Sequence, residues 1–179
     1  MKHHDLFYID RVLKGDTAAF AFLVDKYKHM VYTIALKISD NEADAEDIAQ
    51  ESFVKAYRQL HTFEGKSKFS TWLYTTAYRT ALAQIQENTI DTAPITEEIA
   101  DTYAPDPLSS SVEANEQQYY VREAIQRLPK IEALLVTLYY LEENSVKEMQ
   151  EITGLTAENI KIRLFRARKK LEQWLRFLL

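Results

Sequence analysis

A chain of 179 residues, 46% hydrophobic and 27% charged with a net charge of −5, can form one domain of usual size or two small ones around a buried core. Its lack of cysteine excludes disulfides, thiolate zinc sites and cysteine nucleophiles. Three glycines and four prolines leave room for long helices and too few turns for a β architecture, so the expected fold is all-α.

The opening "MKHHDLFYID" has no apolar signal core, and no stretch approaches the ~20 apolar residues of a membrane span. No direct membrane insertion is expected, and the missing cysteines fit a reducing cytoplasm. A short helix over "LFYIDRVLK" should end at Gly15. Asp16 is then placed to cap a helix through "TAAFAFLVDKYKHMVYTIALKI", where Phe20, Leu23, Val24, Tyr27, Val31, Ile34 and Ile38 keep to one face. A third helix should begin near Asn41 and end near Leu60. Within it, "DAEDIAQESFVKAY" brings Asp44, Asp47 and Glu51 onto one stripe with Gln50 beside them and no neutralising lysine in view. Ile48, Phe53 and Tyr57 are available for the core side. The segment "HTFEGKSKF" breaks the pattern, and Ser70 or a neighbour opens a fourth helix over "TWLYTTAYRTALAQIQ".

Residues 88–112, "NTIDTAPITEEIADTYAPDPLSSSV", hold three of the four prolines and no lysine or arginine, the composition of an acidic, flexible linker between two helical blocks. The expected division is a first domain at 1–87, the linker at 88–112 and a second domain at 113–179. Charge is sorted the same way: 11 basic and 12 acidic residues in 1–87, none and 7 in 88–118, 11 and 8 in 119–179. The second block reads as a helix from about Glu113 to Arg127, Pro129 at the start of "KIEALLVTLYYLEE", and a short helix capped by Ser145. Gly154 follows in a sharp turn, and a final helix capped by Thr156 has Glu158 in its first turn.

That final helix carries Lys161, Arg163, Arg166, Arg168, Lys169, Lys170 and Arg176, while Ile160, Leu164, Ala167, Leu171 and Leu175 form its buried stripe. Basic side chains on an outward face can be solvated helix surface that complements the macrodipole. Coupled to a preceding short helix and a glycine turn, they match a helix-turn-helix whose second helix enters a major groove. The four histidines, His3, His4, His29 and His61, are scattered, and no nucleophile, phosphate loop or metal constellation appears. No catalysis, cofactor, metal or small-molecule substrate is expected.

Taken in order, "GDTAAFAFLVDKYKHMVY", "AEDIAQESFVKAY", "FEGKSKFSTWLY" and "LPKIEALLVTLYYLEENSVKEMQEITGLTAENIKIRLFRARKKL" resemble the extracytoplasmic-function class of sigma-70-type RNA polymerase sigma factors over nearly the whole chain. The resemblance implies a sigma region 2 helical bundle and a sigma region 4 helix-turn-helix joined by the linker. It implies core RNA polymerase, promoter DNA and an anti-sigma factor as partners. Asp44, Asp47, Gln50 and Glu51 would dock on arginine-bearing clamp helices of the core, where they would otherwise be solvated surface. The loop "FEGKSKF" would capture an unstacked base of the −10 element through Phe63, Lys66 and Lys68, with Trp72 more a core residue than a base contact. Thr156, Glu158, Asn159, Lys161, Arg163 and Arg166 would lie in the −35 major groove.

Two departures from the family pattern stand out. Arg79 replaces a common asparagine, offering a charge-assisted contact to the −10 DNA, and the basic cluster that usually follows is absent; Gln150 stands where a small alanine is common. The alternative these departures raise is a sigma-like regulator that binds core or DNA and opens promoters poorly alone. The acidic linker could mimic nucleic acid in a basic channel or serve as a soluble tether.

Overall fold

The computed structural model describes residues 2–39, 41–89 and 116–176, with side chains from 4–39, 41–87 and 119–176. From residue 90 on, the acidic linker lies outside the described residues, as do Asp40 and the side chain of His3. Every element among the described residues is helical, as the composition required. The chain divides into two compact units, each described by itself.

The first unit contains α1 (Lys2–Leu13), α2 (Phe20–Ser39), α3 (Glu42–Gln59) and α4 (Phe69–Thr89), with 3-10 turns at Thr17–Ala19 and Leu60–Thr62. α2 runs through its centre. Phe20, Leu23, Tyr27, Val31, Ile34 and Ile38 of the expected face are buried and Val24 is half-buried, each large enclosed aliphatic side chain contributing about 1.5–3 kcal/mol. Asp16 departs from expectation. It stands before the 3-10 turn and makes no side-chain cap bond; its carboxylate pairs with Arg11 across the turn formed by Gly15 at φ +99°. The ion pair competes with the cap, and a left-handed glycine lets the chain fold back far enough to make it.

α3 turns an unusual face inward. Ala45, Ile48, Ser52 and Ala56 are fully buried, whereas Phe53 is half-buried and Tyr57 is 41% exposed, its ring edge-on to Phe20. Of the three side chains expected in the core, Ile48 alone is fully enclosed. Small residues bring the α3 backbone close to its neighbours, and buried Ser52 donates its hydroxyl to the Ile48 carbonyl at 2.6 Å, so closeness leaves no unpaired polar group there. α4 begins at Phe69, one residue before Ser70, and buries Leu73, Tyr74, Ala77, Tyr78 and Ala81.

The later part of the chain contains α5 (Glu116–Gln126), α6 (Lys130–Val136), α7 (Val146–Thr153) and α8 (Ala157–Leu175). Pro129 is the N-cap of α6 with φ −51° and ψ 142°, one position before the helix itself. α6 passes into a π turn at Thr137–Leu141, which the sequence did not announce, leaving Tyr139, Tyr140 and Leu141 exposed. Ser145 begins α7 with a capping box: its hydroxyl accepts from the Glu148 N–H at 3.2 Å, while its own N–H donates to the Glu148 carboxylate at 2.7 Å. Gly154, at φ +74°, makes the turn into α8, and Thr156 caps that helix by accepting from the Asn159 N–H at 3.2 Å.

Candidate functional site

Three surfaces carry the residues singled out from the sequence. The first is the outer side of α3. Asn41 caps the helix, accepting from the Asp44 N–H at 3.0 Å and donating its amide to the Asp44 carboxylate at 2.8 Å. Asp44 is therefore half-buried and occupied in holding the helix start. Glu51 lies 3.6 Å from Lys55, one turn on, so the stripe does have a neutralising lysine, overlooked because Lys55 sits at the margin of the stripe. Asp47 and Gln50 are exposed and make no hydrogen bond or ion pair among the described residues.

The spacing that starts at Asp47 and Gln50 continues to Val54 and Tyr57, 40% and 41% exposed. The outer row of α3 thus runs from acid and amide into two apolar side chains, a mixed strip of the kind that buries well at an interface. Periodicity in steps of three and four was the signal for these two. At the start of α3, half-buried Tyr32 of α2 has its phenol pushed above its ordinary value, first by desolvation and then by the charges of Glu42 and Glu46.

The second surface follows the loop from Phe63 to Lys68 into α4. Phe63 is half-buried, edge-on to Phe69 with centroids 5.5 Å apart and tilted against Trp72 at 5.7 Å. Trp72, weighed as core, is half-buried and shares this ring cluster. Lys66 is exposed at the loop tip beside Gly65, where it pairs with Glu64, and Lys68 is half-buried. Arg79 is exposed two turns beyond Trp72 on the same side of α4. It is the helix's one cation, with exposed Ala83 and Gln86 further on.

The third surface is α8. Thr156, Glu158, Lys161 and Arg166 are exposed; Asn159 and Arg163 are half-buried, with the Arg163 Nε donating to the Asn159 amide oxygen at 2.6 Å. Ile160, Leu164 and Ala167 are buried, which fixes the phase of the helix. At 100° per residue, Lys161 and Arg168 fall on one flank and Arg163 and Arg166 on the other. Between the flanks stand Ile162 and Phe165, 45% and 51% exposed, with Lys169 4.7 Å from the Phe165 centroid. Sequence reading passed over both, because an apolar residue on a helix is assigned to the core by habit; their phase, opposite Ile160 and Leu164, was the available signal. Lys170 reaches back to the buried Glu132 of α6 at 3.1 Å, a partly enclosed pair that ties the helix to its unit.

Among the described residues no group of three His, Asp or Glu side chains could hold a metal, and no helix is long and apolar enough to cross a membrane. What remains is a pair of helical units whose chemistry lies in charged and aromatic surfaces. Residues 23–89 match the family model described as Sigma-70 region 2, and residues 118–171 match that described as Sigma-70, region 4.

The chain is 33% identical to the ECF RNA polymerase sigma factor SigW of Bacillus subtilis, the alignment spanning 94% of this chain and 95% of that one. It is 31% identical to the RNA polymerase sigma-H factor of Pseudomonas aeruginosa, over 96% of this chain and 93% of the relative. In fold it resembles the sigma factor RpoE of Bartonella quintana, solved with the anti-sigma factor NepR, at a TM-score of 0.65 and 22% identity, over 88% of this chain and 96% of that one. The chain belongs to the extracytoplasmic-function family of RNA polymerase sigma factors.

Proposed function

We propose that this sigma factor joins core RNA polymerase through the outer row of α3, opens the −10 element with the loop at 63–68 and α4, and reads the −35 element with α8. Asp47 and Gln50 lead the first contact, with Asp44 and Glu51 adding charge from positions already partnered within the helix. Phe63 offers a ring face to an unstacked base, and Lys66, Lys68 and Arg79 offer cations to its edge and to phosphates. Thr156, Glu158, Asn159, Lys161, Arg163 and Arg166 line the major-groove face of α8, with Ile162 and Phe165 between the basic flanks suited to thymine methyl groups. The protein selects the promoter, and phosphodiester synthesis belongs to the polymerase. A cytoplasmic location belongs with that partnership, and the family matches at residues 23–89 and 118–171 support a division into domains at 1–87 and 113–179. An anti-sigma factor that clamps both units belongs to the same proposal; the Bartonella relative of this fold was solved with one bound.

The observation that carries this reading is the bare Asp47 carboxylate on an outward row that continues into exposed Val54 and Tyr57. A charge without an internal partner gains from a cationic one, and apolar neighbours exclude water from the pair. The test is the affinity for core polymerase of wild type and Asp47→Arg at two salt concentrations. Binding that weakens with salt and is lost in a folded Asp47→Arg protein supports the assignment; equal binding by the two proteins removes it.

One observation favours a second reading, a sigma-like regulator that opens promoters poorly alone: beyond Arg79 the described part of α4 presents no cation. Run-off transcription from linear promoter DNA by core plus this protein separates the two. Productive initiation eliminates the second reading, and binding without initiation establishes it.

A further inference from the structure

Asp5 on α1 is a carboxylate only 7% exposed, and it lies outside every surface described above. It accepts a hydrogen bond from the Tyr27 hydroxyl at 2.7 Å and one from the Lys26 ammonium at 2.5 Å, both on α2. A buried carboxylate is tolerated where such donors offset its desolvation, and here they tie a phenol to a fixed point. The Tyr27 ring, itself 7% exposed, packs against Phe69 with centroids 5.7 Å apart and against Tyr74 at 6.0 Å.

Phe69 closes the far end of the loop that begins at Phe63, and the two rings meet edge to face at 5.5 Å. Both ends of the loop are thus fastened to one buried ring, and that ring rests on the phenol held by Asp5. Between the fastened ends lie Gly65, in the left-handed region at φ +70°, and the exposed Lys66. A loop held in this way keeps Phe63 and its lysines in one geometry before any base arrives, so less conformational freedom is lost on binding.

We infer that Asp5 and Tyr27 form a positioning pair that sets the −10 loop for base capture through the buried ring of Phe69. Asp5 touches no DNA and acts through Tyr27 and Phe69 on Phe63. The inference rests on the −10 assignment of that loop made above.

The test uses full-length protein assembled with bacterial core polymerase, and a single-stranded oligonucleotide that the wild-type holoenzyme selects from a randomised pool. Tyr27→Phe keeps the ring and removes the hydroxyl. It is expected to weaken binding of the oligonucleotide about fivefold, with core affinity unchanged. In a Phe63→Ala background the same substitution is expected to have no further effect, the non-additivity that separates action through Phe63 from general loosening. Asp5→Asn, whose amide oxygen still accepts the hydroxyl, is expected to retain more than half of the wild-type affinity. Full affinity in Tyr27→Phe, or an equal loss in both backgrounds, overturns the inference while leaving the loop assignment standing. Full affinity in Phe63→Ala alone overturns the loop assignment and the inference with it.

Discussion

α3 and α8 both present charged outer faces, yet they spend their charge differently. On α3 two of the three acids in the stripe are engaged within the helix, Asp44 by the capping Asn41 and Glu51 by Lys55, leaving Asp47 bare beside exposed Val54 and Tyr57. On α8, Lys161, Arg166 and Arg168 are exposed and make no hydrogen bond or ion pair among the described residues. A helix that docks on protein needs one well-placed charge and an apolar surround, because affinity concentrates in a few desolvated residues. A helix that follows phosphates needs several cations free to displace counterions. The two faces have the form their proposed partners require.

The sharpest way to break this contrast is Asp47→Arg. Reversing the bare charge should cost core affinity at least ~100-fold, since it puts a cation where a cation is expected to dock. The melting temperature should not move, because Asp47 is exposed and makes no hydrogen bond or ion pair among the described residues. A titration against core polymerase beside a thermal melt reads both. A drop shared evenly with Asp44→Ala and Glu51→Ala would show instead that the acids act as a diffuse field, and the contrast with α8 would collapse.

The counterpart on α8 is Lys161→Ala combined with Arg166→Ala. Affinity for duplex promoter DNA should fall about tenfold, and the salt dependence should become shallower by roughly two counterions, one for each phosphate contact removed. Core binding should be untouched. A loss of affinity with an unchanged salt slope would mean that these side chains read base edges, leaving the phosphates to Arg168 and Lys169.

Helix starts were the most legible feature of the chain. Asn41, Ser145 and Thr156 each carry a short side-chain oxygen three residues before an N–H that needs an acceptor, and each makes the bond to Asp44, Glu148 and Asn159 respectively. Asp16 obeys the same local rule and fails it because Arg11, brought near by the Gly15 turn, competes for its carboxylate. Burial on α3 was harder to read, since Ala45, Ser52 and Ala56 leave little hydrophobic signal and the larger Tyr57 points outward. The acids of the stripe were visible as a pattern, but which of them is free depends on Asn41 and Lys55, and pattern alone does not rank them. Ile162 and Phe165 were hidden by residue identity, and the π turn after Val136 follows no local sequence motif.

Because the caps are equivalent in kind, they offer an even-handed comparison of the two helices. Thr156→Ala and Asn41→Ala should each destabilise the unit that contains them by about 1 kcal/mol in chemical denaturation. Their functional consequences should then part. Thr156 stands at the start of α8, which is proposed to face DNA, so its loss should also weaken duplex binding, whereas Asn41→Ala should release the Asp44 carboxylate and leave core affinity near wild type. If Asn41→Ala weakened core binding as much as Asp47→Arg does, the position of the α3 start would matter more than its charge.

The smallest effect is the most discriminating for α3. Lys55 holds Glu51 at 3.6 Å in an exposed pair, a geometry that contributes about 0.3–0.5 kcal/mol to stability. Lys55→Ala should therefore cost the fold very little. It should also remove a positive charge from the proposed docking face and free a second carboxylate beside Asp47, so affinity for core polymerase should rise about twofold at low salt, with the gain disappearing as salt screens the added field. A gain that survives high salt would point to a direct contact made by the freed Glu51. A loss of affinity would mean that Lys55 itself meets an acid on the partner, and the docking row would have to be redrawn along the other edge of α3, away from Val54 and Tyr57.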